Sequence, residues 1–151
     1  MKFSKILFLG LLSLGALFIG CSKSSDPVPT KEQLLTTAKG WIRSDYTVTE
    51  SDGNVREQFS DLKSCEKDDV WFFTSDGKIK ATEGATSCSP PRAEANITWS
   101  FNADKTKLTV GSEIWDLTDL SSITLKITLA NASTDPQTKA NVTVLTFTAV
   151  K

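Results

Sequence analysis

VWFFTSDGKIKAT, residues 70–82, is the stretch whose reading decides the fold. Two short runs, Val70 to Thr74 and Lys78 to Thr82, flank Asp76-Gly77, a pair that suits the two positive φ angles of a type I′ hairpin turn. Working outward, Trp41 to Glu50 and Val55 to Ser60 flank Asp52-Gly53 in the same manner. Further on, Lys107 to Val110 and Glu113 to Thr118 flank Gly111-Ser112, which fits a type II′ turn with glycine first. Three hairpin signals in one small chain point to antiparallel β structure.

Alternation assigns the faces. In Asn96 to Phe101, the apolar Ile97, Trp99 and Phe101 alternate with Asn96, Thr98 and Ser100. From Ile123 to Leu129 every second residue is Ile or Leu, with Thr124, Lys126 and Thr128 between. Near the end, Val142 and Val144 follow one phase while Leu145, Phe147 and Ala149 follow the other, which predicts a β-bulge near Val144. Before the strands, Lys31 to Ala38 reads as a short helix, with Thr30 as N-cap and Gln33 three residues on. Val70 and Phe72, on the face opposite Trp71 and Phe73, are expected to pack under it. Eight or nine strands with single-sided apolar faces must bury them against a second sheet or by closing on themselves. Periodicity alone leaves sandwich and barrel open.

The first residues give an address. Lys2 and Lys5 precede an uncharged apolar run from Ile6 to Ile19, then Gly20 and Cys21. Fourteen residues are short against the roughly 20 of a membrane-spanning helix and suit the core of a signal peptide. Leu17, Phe18 and Ile19 before Gly20 resemble the lipobox of bacterial lipoproteins. Residues 1–20 are therefore expected to be removed and Cys21 to carry the acyl chains that hold the protein on a membrane. Ser22 to Thr30 (SKSSDPVPT) is too polar and proline-rich to order itself and reads as a tether of about 30 Å at most. Residues 31–151 then form one domain, on a mature chain of 131 residues. The expected location is the bacterial cell envelope, at the outer membrane, facing the periplasm or the surface.

Composition narrows the function. Loss of residues 1–20 leaves 15 basic against 18 acidic residues, a balance that gives nucleic acid no basic patch. Histidine is absent, which excludes Ser-His-Asp and Cys-His catalysis and histidine-ligated zinc. An enzyme would have to use carboxylates, lysines or Tyr46, the single tyrosine. Adjacent Asp68 and Asp69 point to opposite faces of an extended chain, which spoils them as a catalytic pair. The acidic residues Asp61, Glu66, Asp68 and Asp69 lack the spacing of a calcium loop and read as a solvated loop. The chain is read as non-enzymatic, with no cofactor and no metal. Its sequons at Asn96, Asn131 and Asn141 are read as chance.

With Cys21 committed to lipid, Cys65 and Cys88 remain as an even pair in an exported protein, and a disulfide is expected. Closing a loop of 24 residues stabilises the fold by roughly 3 kcal/mol on the chain-entropy model. The segment Gly84 to Glu94, with Pro90-Pro91, is the longest break in the first half of the domain.

Together, Gly40-Trp41, Cys65-Glu66-Lys67-Asp68-Asp69, Trp71, Phe73, Asp76-Gly77, Cys88, Trp99-Ser100-Phe101, Asp104, Leu108, Trp115 and Leu117 resemble the lipocalin-like domain of bacterial outer-membrane lipoproteins, over about residues 31–151. Lipocalins proper carry Gly-x-Trp on the first strand, whereas here Gly40 abuts Trp41. The resemblance implies a lipid-tethered, up-and-down antiparallel barrel of about eight strands, with a disulfide between Cys65 and Cys88. Trp41, Trp71, Phe73, Trp99, Phe101, Leu125 and Ile127 are then the candidate lining of a cavity for a small apolar ligand, or else simply core. The first reading makes the protein a carrier or binder of such a ligand. The second makes it a filled barrel that docks another envelope protein or a glycan, with the protein partner unnamed.

Overall fold

A computed structural model describes residues 27–91, 95–131 and 141–151. The export signal, Cys21, the start of the tether and most of the Asn131-Ala132-Ser133 sequon lie outside the described residues. Within them the chain forms α1 (Lys31–Thr37), β1 (Trp41–Thr49), β2 (Val55–Glu57), the single turn α2 (Ser64–Lys67), β3 (Val70–Phe73), β4 (Lys78–Thr82), β5 (Ala95–Phe101), β6 (Lys107–Val110), β7 (Glu113–Leu120), β8 (Thr124–Asn131) and β9 (Asn141–Ala149).

Every strand pairs antiparallel with its neighbour. The circuit β1-β3-β4-β5-β6-β7-β8-β9 closes through rungs from Trp41 opposite Ala149 to Thr49 opposite Val142. The architecture is thus a closed up-and-down barrel of eight strands, which removes the sheet edges that a sandwich would leave. β2 occupies the same side of β1 as β3, further along it. Five steps along β1, from Thr47 to Ile42, are matched by thirteen along the facing chain, from Glu57 to Val70, a surplus of eight residues. That surplus is an excursion from one interrupted strand, and it carries α2 and Cys65. The predicted strand Val55 to Ser60 accordingly stops at Glu57.

Turn chemistry differs from the expectation in one respect. Gly53 and Gly77 have φ of +89° and +79°, but Asp52 and Asp76 do not share the positive φ that a type I′ turn needs. Gly77 N–H donates to Thr74 O at 3.0 Å and Thr74 N–H to Lys78 O at 2.8 Å, and Glu50 to Asn54 repeat the pattern. These are type I turns closed by a glycine bulge. The Gly111-Ser112 loop, with Gly111 at φ +61° between the paired Val110 and Glu113, matches the expected type II′ turn.

The phase change near the end of the chain is not a bulge in β9. β9 runs without interruption against β8, and the irregularity falls on β1, between Arg43 and Asp45. Val142 and Val144 are half-buried on the outer phase of β9, while Leu145 and Phe147 face the core. Ile123, placed by alternation in a strand, lies before β8 and is 60% exposed.

One end of the barrel is solid. Thr30 Oγ1 accepts from Gln33 N–H, and the Gln33 side chain accepts from Thr30 N–H, so the predicted capping box starts α1. The helix lays Leu35 into the core, fully buried, and the Leu35 carbonyl accepts a 2.9 Å hydrogen bond from Trp41 Nε1. Lys31 Nζ donates to the carbonyl of Lys105, in the β5–β6 turn, while Lys105 Nζ pairs with Glu32 at 2.8 Å. Above α1, an aromatic chain runs from Phe147 to Trp71 (5.0 Å), Phe73 (6.4 Å), Trp99 (5.7 Å) and Phe101 (5.5 Å). Trp99 is latched to the β3–β4 turn, its backbone N–H to Gly77 O and its indole N–H to Thr74 O. Each large apolar side chain so buried contributes about 1.5–3 kcal/mol.

Val70 and Phe72 pack against Gly40, at the link between α1 and β1. A Cβ on Gly40 would stand 2.4 Å from Val70 Cγ1 and 3.2 Å from the Phe72 ring, and Gly40 has φ +138°. The link between α1 and β1 therefore needs glycine both for its conformation and for the space. Gly40→Ala is expected to lose about 1–3 kcal/mol of folding stability, read by urea denaturation.

Exposed carboxylates fasten the turns. The Thr74 hydroxyl and then Lys78 hold Asp76 below the ordinary aspartate range, and Thr106 does the same for Asp104. Lys105 likewise lowers Glu32. Because the folded state lowers these pKa values, protonation favours the unfolded chain. Their contribution is present above the unfolded pKa and fades as pH falls through the folded one. Stability should therefore drop as the pH falls below about 4, and Asp76→Asn should flatten that acid limb in denaturation curves.

Candidate ligand-binding site

The other end of the barrel holds a pocket among the described residues, open to solvent. A cavity of about 350 Å³ is lined by Arg43, Tyr46, Glu113, Trp115, Leu129, Thr143 and Leu145. Four strands supply these side chains: Arg43 and Tyr46 come from β1, Glu113 and Trp115 from β7, Leu129 from β8, and Thr143 and Leu145 from β9. Pairing explains the grouping, since Tyr46 stands opposite Leu145 and Thr143 opposite Leu129, and cross-strand partners share a face. The bulge on β1 separates Arg43 from Tyr46 by three residues, yet both reach the cavity, with the guanidinium 5.8 Å from the Tyr46 ring centroid.

The lining grades from apolar to polar. Leu145 and Trp115 are 8% and 6% exposed, whereas Glu113, directly after the Gly111-Ser112 turn, is exposed at the rim. The Trp115 indole N–H is buried and has no acceptor among the described residues. A buried donor left unmade costs about 1–3 kcal/mol of stability. Tyr46 and Thr143 add hydroxyls, and Arg43 adds a cation.

The seven candidates drawn from the sequence lie elsewhere. Trp41, Phe73, Trp99, Leu125 and Ile127 are buried in the core, and Trp71 and Phe101 pack against it. None of them lines this cavity. Five cavity residues, Arg43, Glu113, Leu129, Thr143 and Leu145, carried no functional signal in the sequence, because a periodicity of two marks which side chains face inward and not how far along the barrel axis each lies. Depth depends on strand tilt and stagger.

The cysteine pair is joined. Cys65 Sγ is bonded to Cys88 Sγ, with Cα atoms 5.2 Å apart, tying α2 to the loop after β4. Asp68 Oδ2 accepts from Thr86 N–H at 2.7 Å in the same place, and a Cβ on Gly84 would stand 2.1 Å from Asp68 O. Asp68 thus pins a loop, and Glu66 accepts from the Lys63 backbone N–H at 3.1 Å. Among the described residues no group of three or more acidic, cysteine or histidine side chains is placed to hold a metal ion.

No family model matches this chain, and no curated protein matches it. Among solved structures it is similar to bovine odorant-binding protein in complex with its natural ligand, at 10% identity over 83% of this chain and 77% of that one, with a TM-score of 0.47. At that distance the likeness carries no argument about function, and the barrel stands on its own strand pairing.

Proposed function

We propose that this barrel binds a small, largely apolar ligand at its hollow end, and that the protein is a non-catalytic envelope lipoprotein held to a bacterial membrane through Cys21. The observation that carries the binding reading is the cavity itself: about 350 Å³, within the range of small-molecule sites, walled by Tyr46, Trp115, Leu129 and Leu145 with a few polar groups among them. The solid end supports it in a second way, because α1 and the aromatic chain make a rigid floor. The filled-barrel reading is favoured for that half of the molecule alone.

Native mass spectrometry of the exported protein tests the binding. A discrete mass released on denaturation is expected. Leu129→Trp, which places a larger ring in the cavity, is expected to abolish that mass while leaving the folding stability within about 0.5 kcal/mol of the parent. A ligand retained in full by Leu129→Trp would place binding elsewhere. The anchor has its own test: labelled palmitate should be incorporated by the parent chain and not by Cys21→Ser.

A further inference from the structure

We propose that the protein stands on its membrane with the α1 end turned to the bilayer and the pocket opening away from it, so that ligand enters from the aqueous side; this rests on the reading that Cys21 is the anchor. Two observations carry it, the point at which the chain enters the barrel and the reach of the tether.

The entry point is fixed at the closed end. Thr30 caps α1, and Lys31 Nζ donates to the Lys105 carbonyl in the β5–β6 turn. The Leu35 carbonyl accepts from the indole of Trp41, which stands opposite Ala149. Ala149 N–H donates to the Ile123 carbonyl in the β7–β8 turn, and Val150 N–H to the Gly40 carbonyl. The pocket belongs to the opposite end. Leu129 and Thr143 pair two rungs from the far limits of β8 and β9, and Glu113 follows the Gly111-Ser112 turn.

Reach then decides the orientation. From the rung at Val142 to the rung at Ala149, β9 advances seven steps, 142 to 149. At about 3.3 Å per step and the usual tilt of barrel strands, those steps cover roughly 17–19 Å of the barrel axis. The thickness of α1 adds about 10 Å. A mouth pressed to the bilayer would thus hold the start of α1 about 30 Å above it. Nine residues, Ser22 to Thr30, match that distance only at full extension along the wall, whereas a relaxed chain of this length spans about 17 Å. With the closed end down, no stretching is needed. Apolar surface does not oppose this orientation: among the described residues Val28 and Ile123 are exposed at the closed end, and Val55 and Ile114 at the mouth.

The full-length acylated protein in phosphatidylethanolamine–phosphatidylglycerol vesicles tests this. Nitroxide labels are placed singly on Ile123→Cys at the closed end and Ser112→Cys at the mouth, both exposed positions, with nickel-chelating lipid in the outer leaflet as the relaxing agent. The label on Ile123→Cys should relax several-fold faster than the label on Ser112→Cys. A twenty-residue glycine-serine insertion after Ser25 should bring the two rates together, because the relaxed tether then spans about 30 Å. Equal rates on the parent tether, or faster relaxation at Ser112→Cys, would overturn the inference while leaving the anchor in place. Loss of both effects, with the parent chain failing to float with the vesicles just as Cys21→Ser does, would overturn the anchoring as well.

Discussion

Trp41→Ala is expected to lose about 3–5 kcal/mol of folding stability, the largest effect of any single substitution in this barrel. Trp41 is fully buried at the point where β1 meets both β3 and β9, with Trp71 and Ala149 as its rung partners. Truncation leaves a cavity that a closed barrel has little freedom to collapse. It also strips the Leu35 carbonyl of its donor, so α1 loses one of the bonds that hold it over the barrel end. Trp41→Phe separates the two effects. It keeps most of the ring and should lose about 1–3 kcal/mol, the cost of the unpaired carbonyl together with a smaller void. Urea denaturation of the two variants, with the slope checked for two-state behaviour, gives both numbers. A loss below 1 kcal/mol for Trp41→Ala would mean that the helix does not close this end.

The second large effect comes from the Cys65–Cys88 bond. Replacing both cysteines by serine should lower stability by roughly 3 kcal/mol, from the entropy of opening a loop across 23 residues of separation. The bond spans a break in the wall, where the strand facing β1 divides into β2 and β3 and the excursion with α2 leaves the barrel. Asp68 and Gly84 hold the same two segments together without it. The double variant should therefore still fold, with β2 and the loop after β4 losing hydrogen-exchange protection first. The parent protein under reducing conditions should fall to the same stability as the variant. A parent whose stability is indifferent to reductant would show that the bond contributes nothing in solution.

Much of the fold was readable from local chemistry. The paired runs around Asp52-Gly53, Asp76-Gly77 and Gly111-Ser112 are hairpins because each contains a glycine where the chain must adopt positive φ, and Thr30 with Gln33 marks the start of α1. Barrel closure was not readable in this way. It depends on β1 meeting β9, about a hundred residues apart, and no periodicity specifies that pairing. The Asp residues at the two Asp-Gly turns misled because a type I turn with a glycine bulge and a type I′ turn use the same dipeptide. Val144 misled for a different reason. Its outward phase reflects a half-buried outer face, whereas the irregularity that bends the wall sits on β1, near Ser44. The site was hidden for a physical reason of the same kind: Trp99 and Trp115 have similar inward phase, yet Trp99 is latched to a turn in the solid half and Trp115 lines the cavity.

Four tryptophans make the central claim measurable in one spectrum. Trp41, Trp71 and Trp99 belong to the packed half, and Trp115 belongs to the cavity. The measurement is the indole N–H region of a ¹⁵N-resolved NMR spectrum, recorded with and without saturating 1-octanol. A solid base with a hollow upper end predicts that the Trp115 resonance moves and the other three stay in place. Movement of Trp41, Trp71 or Trp99, with Trp115 unchanged, would contradict the account.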